Sequence, residues 1–350
     1  MEKKIKIGNI EINEHSPAFI IAELSANHNQ NKQLAFDTIY AMKESGADAV
    51  KVQTYTADTI TLKCEKDDFL IKQGTIWDGA YLHDLYLQAY TPWEWHKDLQ
   101  DYAVSLGLEF FSSPFDTSAV DLLESLSVPC YKIASFEITD LNLIDYVARK
   151  KKPVIISTGI ARLEDISLAV ETCKNAGNEQ VILLKCTSSY PAPIEEANLL
   201  TIPHLASTFD VISGLSDHTM GSECSIASIA LGGKVIEKHF ILDRALGGPD
   251  SKFSMNPQEF KSMVNSVRMV ESALGKVSYD LSEKQINSRQ HSRSLYFVKD
   301  IKKGELITSE NLKSIRPGFG LHPKYLNDFI GKKARLNIER GTRASFSLIE

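Results

Sequence analysis

The sequence predicts a (β/α)₈ barrel followed by a small C-terminal module with short strands. Three observations carry this. Eight β-rich runs recur between residues 19 and 240, helical patterns separate them, and the character of the chain changes after Gly275.

The runs are Phe19–Leu24, Ala49–Tyr55, Leu108–Ser113, Cys130–Ser135, Val154–Thr158, Val181–Thr187, Val211–Leu215 and Val235–Phe240. Most are nearly continuous in apolar residues, as parallel strands covered on both faces are. Between them, Gln33–Ser45 puts Leu34, Ile39 and Met42 on one side and stops at Gly46. Ser118–Leu126 and Leu141–Ala148 follow the same pattern. Pro257–Leu274 carries the strongest helix signal. Asn256 can cap it, Pro257 suits its first turn, and Glu259 completes a capping box. Phe260, Met263, Val264, Val267, Val270 and Leu274 form its apolar stripe. A doubly wound open sheet is the alternative topology, but no GxGxxG follows any strand. The long aromatic stretch Thr56–Trp95 reads as a lid or an oligomer contact. Residues 1–275 are thus expected to form the barrel. Residues 276–293, polar and without a stripe, read as a linker. Residues 294–350 form the second domain, with strands in SLYFV, ELIT and KARLNI.

Composition fits an ordinary globular protein: 350 residues, 43% hydrophobic and 24% charged. A net charge of −6 argues against general nucleic-acid binding but allows a locally basic pocket. The N-terminus has no apolar h-region and no run reaches the ~18 apolar residues of a membrane span, so a cytoplasmic location is expected. Cys64, Cys130, Cys173, Cys186 and Cys224 are scattered, with no CxxC, and read as reduced thiols.

Barrel chemistry lies at the C-terminal strand ends. Those ends carry, in order, Glu23; Lys51 and Gln53; Ser112 and Ser113; Lys132, Ser135 and Glu137; Ser157 and Thr158; Lys185, Thr187, Ser188 and Tyr190; Ser216, Asp217 and His218; and Glu237 and His239. Lysines among short hydroxyls suit a phosphate and a carboxylate. Two histidines on adjacent strand ends suit a metal that stays open on one side. Taken singly, each has an ordinary explanation: a snorkelling lysine, a polar core histidine, a helix-capping serine. Polar groups at the same end of eight consecutive strands do not. A buried trio of lysines would be costly without an anion.

In this order, FIIAELSANHN, DAVKVQTY, FFSSPFD, YKIAS, ISTG, KCTSSYP, GLSDHT and VIEKHF with GGPDSKFSM resemble the sialic acid synthase family, and SLYFVKDIKKGELITSENLKSIRPGFG resembles its antifreeze-like (SAF) domain. The resemblance spans nearly the whole chain. It implies condensation of phosphoenolpyruvate with an open-chain 2-acetamido sugar, with C–O cleavage and release of phosphate. Lys51, Ser113, Lys132, Ser135, Ser157, Ser188 and Ser216 would hold phosphoenolpyruvate. His218 and His239 would bind a divalent metal, typically Mn²⁺, with Mg²⁺ or Co²⁺ as alternatives. Gln53, Tyr190 and Asp250 would address the sugar, together with Glu23, which with Glu137 is also a candidate for stabilising the cation or moving protons. Arg316 would reach the mouth of a partner subunit, in a homodimer with swapped C-terminal domains. The product would be a precursor of a bacterial surface or flagellar glycan.

Three departures from the neuraminic-type pattern bear on the acceptor: Phe136 after Ser135, Lys185-Cys186-Thr187-Ser188-Ser189 at the sixth strand, and Ser-Lys-Phe-Ser-Met after Asp250. They are similar to the branch whose acceptor is 2,4-diacetamido-2,4,6-trideoxy-L-altrose, with the legionaminic and N-acetylneuraminic branches as alternatives. Phe136 suits a less hydroxylated acceptor. Ser188, shorter than Asn, alters one expected contact. Two other classes stay open: a Schiff-base aldolase using Lys132 or Lys185, and a non-catalytic glycan-binding protein.

Overall fold

The computed structural model describes residues 3–72, 74 and 77–350. Of the aromatic stretch 56–95, residues 73, 75 and 76 lie outside the described residues. The chain forms two compact units, 1–275 and 276–350.

The first unit opens with a hairpin, β1 (Lys4–Ile7) and β2 (Ile10–Asn13). The barrel strands follow: β3 (Phe19–Glu23), β4 (Ala49–Thr54), β5 (Glu109–Pro114), β6 (Tyr131–Ile133), β7 (Val154–Ser157), β8 (Val181–Cys186), β9 (Ile212–Asp217) and β10 (Val235–His239). All pair in parallel and β10 closes on β3, so the sheet has no free edge. The helices of this unit are α1 (Lys32–Glu44), α2 (Ala57–Ile60), α3 (Leu82–Ala89), α4 (His96–Ser105), α5 (Thr117–Ser125), α6 (Leu141–Ala148), α7 (Leu163–Asn175), α8 (Thr201–Phe209), α9 (Glu223–Ala230) and α10 (Pro257–Leu274).

Side chains alternate faces along a strand, and this alternation decides what the barrel contains. In β3, β4 and β10, Phe19, Ile21, Ala49 and Val235 share one apolar cluster with Ile5, Ile7 and Ile12 of the hairpin. Ile20, Ala22, Val50 and Ile236 pack instead with Ile39, Met42, Phe260 and Met263 from α1 and α10. The hairpin therefore plugs the N-terminal end of the barrel. By the same period, Glu23, Lys51, Gln53, Glu237 and His239 point inward.

Local sequence fixes the helices. Asn31, Asp116 and Asp140 accept the N-terminal amides of α1, α5 and α6. Asn256 and Glu259 make the reciprocal capping box of α10, and Gly275 follows its last turn with positive φ. Phe260, Met263, Val264 and Val267 are its buried face. Each stabilises the packing by about 2 kcal/mol, and Phe260→Ala would cost about 3–5 kcal/mol.

The second unit has β11 (Ser294–Phe297) and β12 (Leu312–Ile315), with α11 (Glu283–Ser288) and α12 (Leu326–Phe329). The expected strands in ELIT and KARLNI make isolated bridges only, Leu306 to Lys333 and Ala334 to Ile349. Their core, Leu295, Phe297, Ile301, Ile307, Leu312, Phe329 and Ile338, is small and held by many short turns. Residues 276–293, expected as a linker, contain α11, whose Ser282 and Gln285 form a capping box. No helix among the described residues is long and apolar enough to cross a membrane.

Candidate active site

The inward residues meet at the C-terminal mouth. Lys51 Nζ lies 2.5 Å from Glu23 Oε2 and 3.4 Å from Glu237 Oε1. It also donates to Ser113 Oγ at 3.3 Å. Lys132 Nζ lies 3.6 Å from Glu237 Oε1 and donates to Ser157 Oγ at 2.6 Å. Ser216 Oγ donates to Glu237 Oε1 at 3.3 Å. Gln53 Nε2 donates to Glu23 Oε1 and Ser25 Oγ, both at 3.1 Å. The two lysines, Glu23 and Glu237 are buried.

Electrostatics follow from that burial. Burial pushes Glu237 up, but Lys132 and Lys51 outweigh it and hold the carboxyl below its usual range. Burial pulls Lys132 down, and Glu237 only partly opposes this. Glu137, on the turn after β6, is pushed up to about 7 by burial, against the pull of Lys132. One oxygen of Glu137 and one of Glu237 are buried with no hydrogen-bond partner. Unpaired buried oxygens beside two ammonium groups mark a place where a ligand completes the network.

Above the lysines, Gly159 donates its N–H to Ser135 Oγ at 3.1 Å. A Cβ at Gly159 would lie 2.1 Å from Ser188 Oγ and 2.8 Å from Ser135 Oγ. Glycine is therefore required for Ser135 and Ser188 to converge here. Together with Ser113, Ser157 and Ser216 they surround Lys51 and Lys132 with neutral donors.

The histidines form the other wall. The His218 and His239 rings are 5.3 Å apart between centroids. His218 Nδ1 is 3.0 Å from the Thr187 carbonyl, which leaves its Nε2 for another partner. His239 Nδ1 is buried without a hydrogen bond. Burial, His218 and the lysines hold His239 well below its ordinary range, so it is neutral and able to ligate. Among the described residues no cluster of three or more His, Cys, Asp or Glu is arranged for a metal. The donor set is two imidazoles with an open face, which fits a divalent cation completed by substrate and water. Asp250 stands nearby, its Oδ2 3.9 Å from His239 Nδ1, and accepts from Ser25 Oγ and the Ala26 amide. Tyr190 stacks 4.5 Å from the His218 ring and 5.6 Å from Trp77 of the long segment.

Every barrel residue to which the resemblance gave a role thus stands at the mouth, whereas Ser112 and Asp217, from the same strand ends, face out of the barrel. Arg316 lies exposed in the second unit, just after β12. Lys185 needs a correction. Cys186 pairs in register with Ser216 and faces the mouth, so Lys185 faces outward, where its Nζ donates to the Cys186 carbonyl at 2.6 Å. The expected trio of inward lysines is a pair. The third fully buried lysine is Lys238, also outward, 2.8 Å from Asp217. Sequence reading also left three participants without a role. Glu237 links both inward lysines. Ser25 holds Asp250. Cys186 Sγ lies 3.6 Å from His218 Nδ1. Burial raises the Cys186 thiol, but His218 outweighs it and brings it down to about 7.

Residues 38–279 match the NeuB family, and residues 292–350 match the SAF domain. The chain belongs to the NeuB family. It is 49% identical over 335 residues to a pseudaminic acid synthase of Helicobacter pylori, covering 95% of this chain and 98% of that protein. It is 38% identical to an N,N'-diacetyllegionaminic acid synthase of Legionella pneumophila, covering 95% of this chain and 94% of that one. Among solved structures, the N-acetylneuraminic acid synthetase of Leptospira borgpetersenii superposes with a TM-score of 0.73 at 30% identity, over 82% of this chain and 95% of that one.

Proposed function

We propose that this NeuB-family enzyme is a pseudaminic acid synthase. It joins phosphoenolpyruvate to 2,4-diacetamido-2,4,6-trideoxy-L-altrose, giving pseudaminic acid and phosphate. The observation that carries the chemistry is the buried Lys51–Glu237–Lys132 chain beside the His218–His239 pair. Identity of 49% to a pseudaminic acid synthase against 38% to a legionaminic one favours this acceptor.

Lys51 and Lys132 bind the phosphate and carboxylate of phosphoenolpyruvate, with Ser113, Ser135, Ser157, Ser188 and Ser216 filling the remaining lone pairs. Tyr190, Gln53 and Asp250 orient the open-chain sugar, so that carbon 3 of phosphoenolpyruvate meets the aldehyde carbon. His218 and His239 would hold a divalent cation, Mn²⁺ on this reading, which would supply Lewis-acid stabilisation of the aldehyde oxygen. As the carbon–carbon bond forms, positive charge builds at carbon 2, and Glu23 and Glu237 lie beside it. Water adds there and Glu137 takes its proton. The carbon–oxygen bond to phosphate then breaks and the remaining proton of the added water leaves, giving the ketone, while the former aldehyde oxygen takes up one proton to end as a hydroxyl. Arg316 would reach the mouth of a second copy in a homodimer with swapped C-terminal domains, and the product would feed glycan assembly in the cytoplasm, flagellin glycosylation included.

Phosphoenolpyruvate labelled with ¹⁸O at the bridging position tests the reaction class. The label should leave in inorganic phosphate. Label retained in the sugar product, or inactivation by borohydride with pyruvate, would point instead to P–O cleavage or a Schiff-base lysine.

A further inference from the structure

The residues that directly precede the two histidines form an ion pair on the opposite face of the barrel wall. Lys238 and Asp217 are register partners between β10 and β9. Lys238 Nζ lies 2.8 Å from Asp217 Oδ2, and both side chains are 1% exposed. Neither reaches the mouth, because Ser216, Glu237 and His239 occupy the inward positions. Both members make further hydrogen bonds. Asp217 Oδ1 accepts from the Thr219 amide at 2.9 Å and the Thr219 hydroxyl at 2.7 Å. Its Oδ2 accepts from Ser225 Oγ of α9 at 2.7 Å. Lys238 Nζ also donates to the Thr219 carbonyl at 2.6 Å.

Two features separate this network from ordinary packing. The outward positions of β3, which adjoins β10, and the earlier outward position of β10 itself are apolar: Ile20, Ala22 and Ile236. An apolar pair would serve stability at least as well, because a buried ion pair seldom outperforms hydrophobic residues of similar volume. Second, the network brackets His218 on both sides, through Asp217 and Thr219, and ties that bracket to the residue before His239. A hydrogen-bonded ion pair fixes register and direction as apolar contacts do not.

We propose that Asp217 and Lys238 are positioning residues that set the separation and aim of His218 and His239 for a divalent cation without touching it. This rests on the assignment of the two histidines as the metal ligands. Remote partners of metal ligands contribute roughly 10–100-fold in affinity.

The test uses the full-length protein and Mn²⁺ alone, with bound and free Mn²⁺ measured by electron paramagnetic resonance. The variant D217N/K238M removes both charges and leaves no buried ion unpaired. It should bind Mn²⁺ about 10-fold or more weakly, while calorimetric affinity for phosphoenolpyruvate without metal stays within about two-fold, since Lys51 and Lys132 lie on the other face. S225A, which removes one hydrogen bond and keeps the ion pair, should weaken Mn²⁺ about three-fold and serves alone if the double variant does not fold. A folded D217N/K238M that binds Mn²⁺ like wild type overturns the proposal, as does parallel loss of Mn²⁺ and phosphoenolpyruvate affinity. H239A separates the two levels. If H239A binds Mn²⁺ as wild type does, the ligand assignment falls and this proposal with it. If H239A loses Mn²⁺ while D217N/K238M and S225A keep it, the positioning role alone is refuted.

Discussion

Lys51 and Glu23 face each other across two adjacent barrel strands, Nζ to Oε2 at 2.5 Å, both buried at the mouth. Glu237, one strand further round on β10, also reaches the same ammonium, at 3.4 Å. The arrangement holds Lys51 charged and rigid before any anion arrives. Lys51→Met should therefore raise the KM for phosphoenolpyruvate about 10–100-fold, the worth of one or two charge-assisted hydrogen bonds. It should also lower stability by about 3–5 kcal/mol, because Glu23 loses its buried ion-pair partner. Steady-state kinetics and urea unfolding check both. An unchanged KM would remove Lys51 from the anion site.

Glu137 gives a pH dependence. Burial lifts its carboxyl to about 7. A base works ionised, so kcat should rise as pH climbs through about 7 and level off above it. Glu137→Gln should abolish that limb and lower kcat about 10²–10⁴-fold. A limb that persists in the variant would assign the titration elsewhere.

His28 and His96 lie outside the chemistry but bear on stability. Burial first, and for His28 also the neighbouring His96, brings each down to about 4. His96 is bonded to Thr54 at 2.8 Å, and His28 lies 3.3 Å from Thr91. The unfolded chain protonates near 6.5 and the folded one near 4. Their contribution is thus complete above about 6.5 and is lost as pH falls toward 4. By pH 5 each should have cost about 2 kcal/mol. Urea midpoints at pH 7 and pH 5, in wild type and in H28Q/H96Q, measure this. The gap should narrow in the variant.

Phe136 is 58% exposed on the turn between Ser135 and Glu137. On the proposed reading, an exposed aromatic ring next to Ser135 would favour a less hydroxylated acceptor. Phe136→Gly should shift relative kcat/KM between the trideoxy-altrose and N-acetylmannosamine by about 10-fold toward the latter. No shift would take Phe136 out of acceptor selection.

The barrel was legible because its strands are buried on both faces, and such runs stand out as apolar blocks. The mouth was legible because every block ends in polar groups. Side-chain direction was less so. Lys132 and Lys238 look alike in sequence, one lysine in a β-run. The two-residue period separates them once neighbours are fixed: with Glu237 and His239 inward, Lys238 must face out. The hairpin of Lys4–Asn13 was missed although Ile5, Ile7 and Ile12 alternate around a Gly-Asn turn, a usable signal. In the second unit, ELIT and KARLNI have strand composition but make isolated bridges, because a core of so few residues leaves no room for long ladders. Cys186 gave no sign in sequence, since its role depends on His218 arriving from another strand.

The central claim is metal-dependent condensation with one particular acceptor. Phosphate release from phosphoenolpyruvate, followed with Mn²⁺ and after EDTA, tests it most directly. The acceptors to compare are the diacetamido-trideoxy-L-altrose, its D-manno isomer and N-acetylmannosamine. Release should be Mn²⁺-dependent with the first sugar, abolished by EDTA and by His239→Ala, and small with the other two. Preference for another sugar would contradict the acceptor assignment. Release indifferent to EDTA, or none with any acceptor from folded, metal-loaded protein, would contradict the account itself.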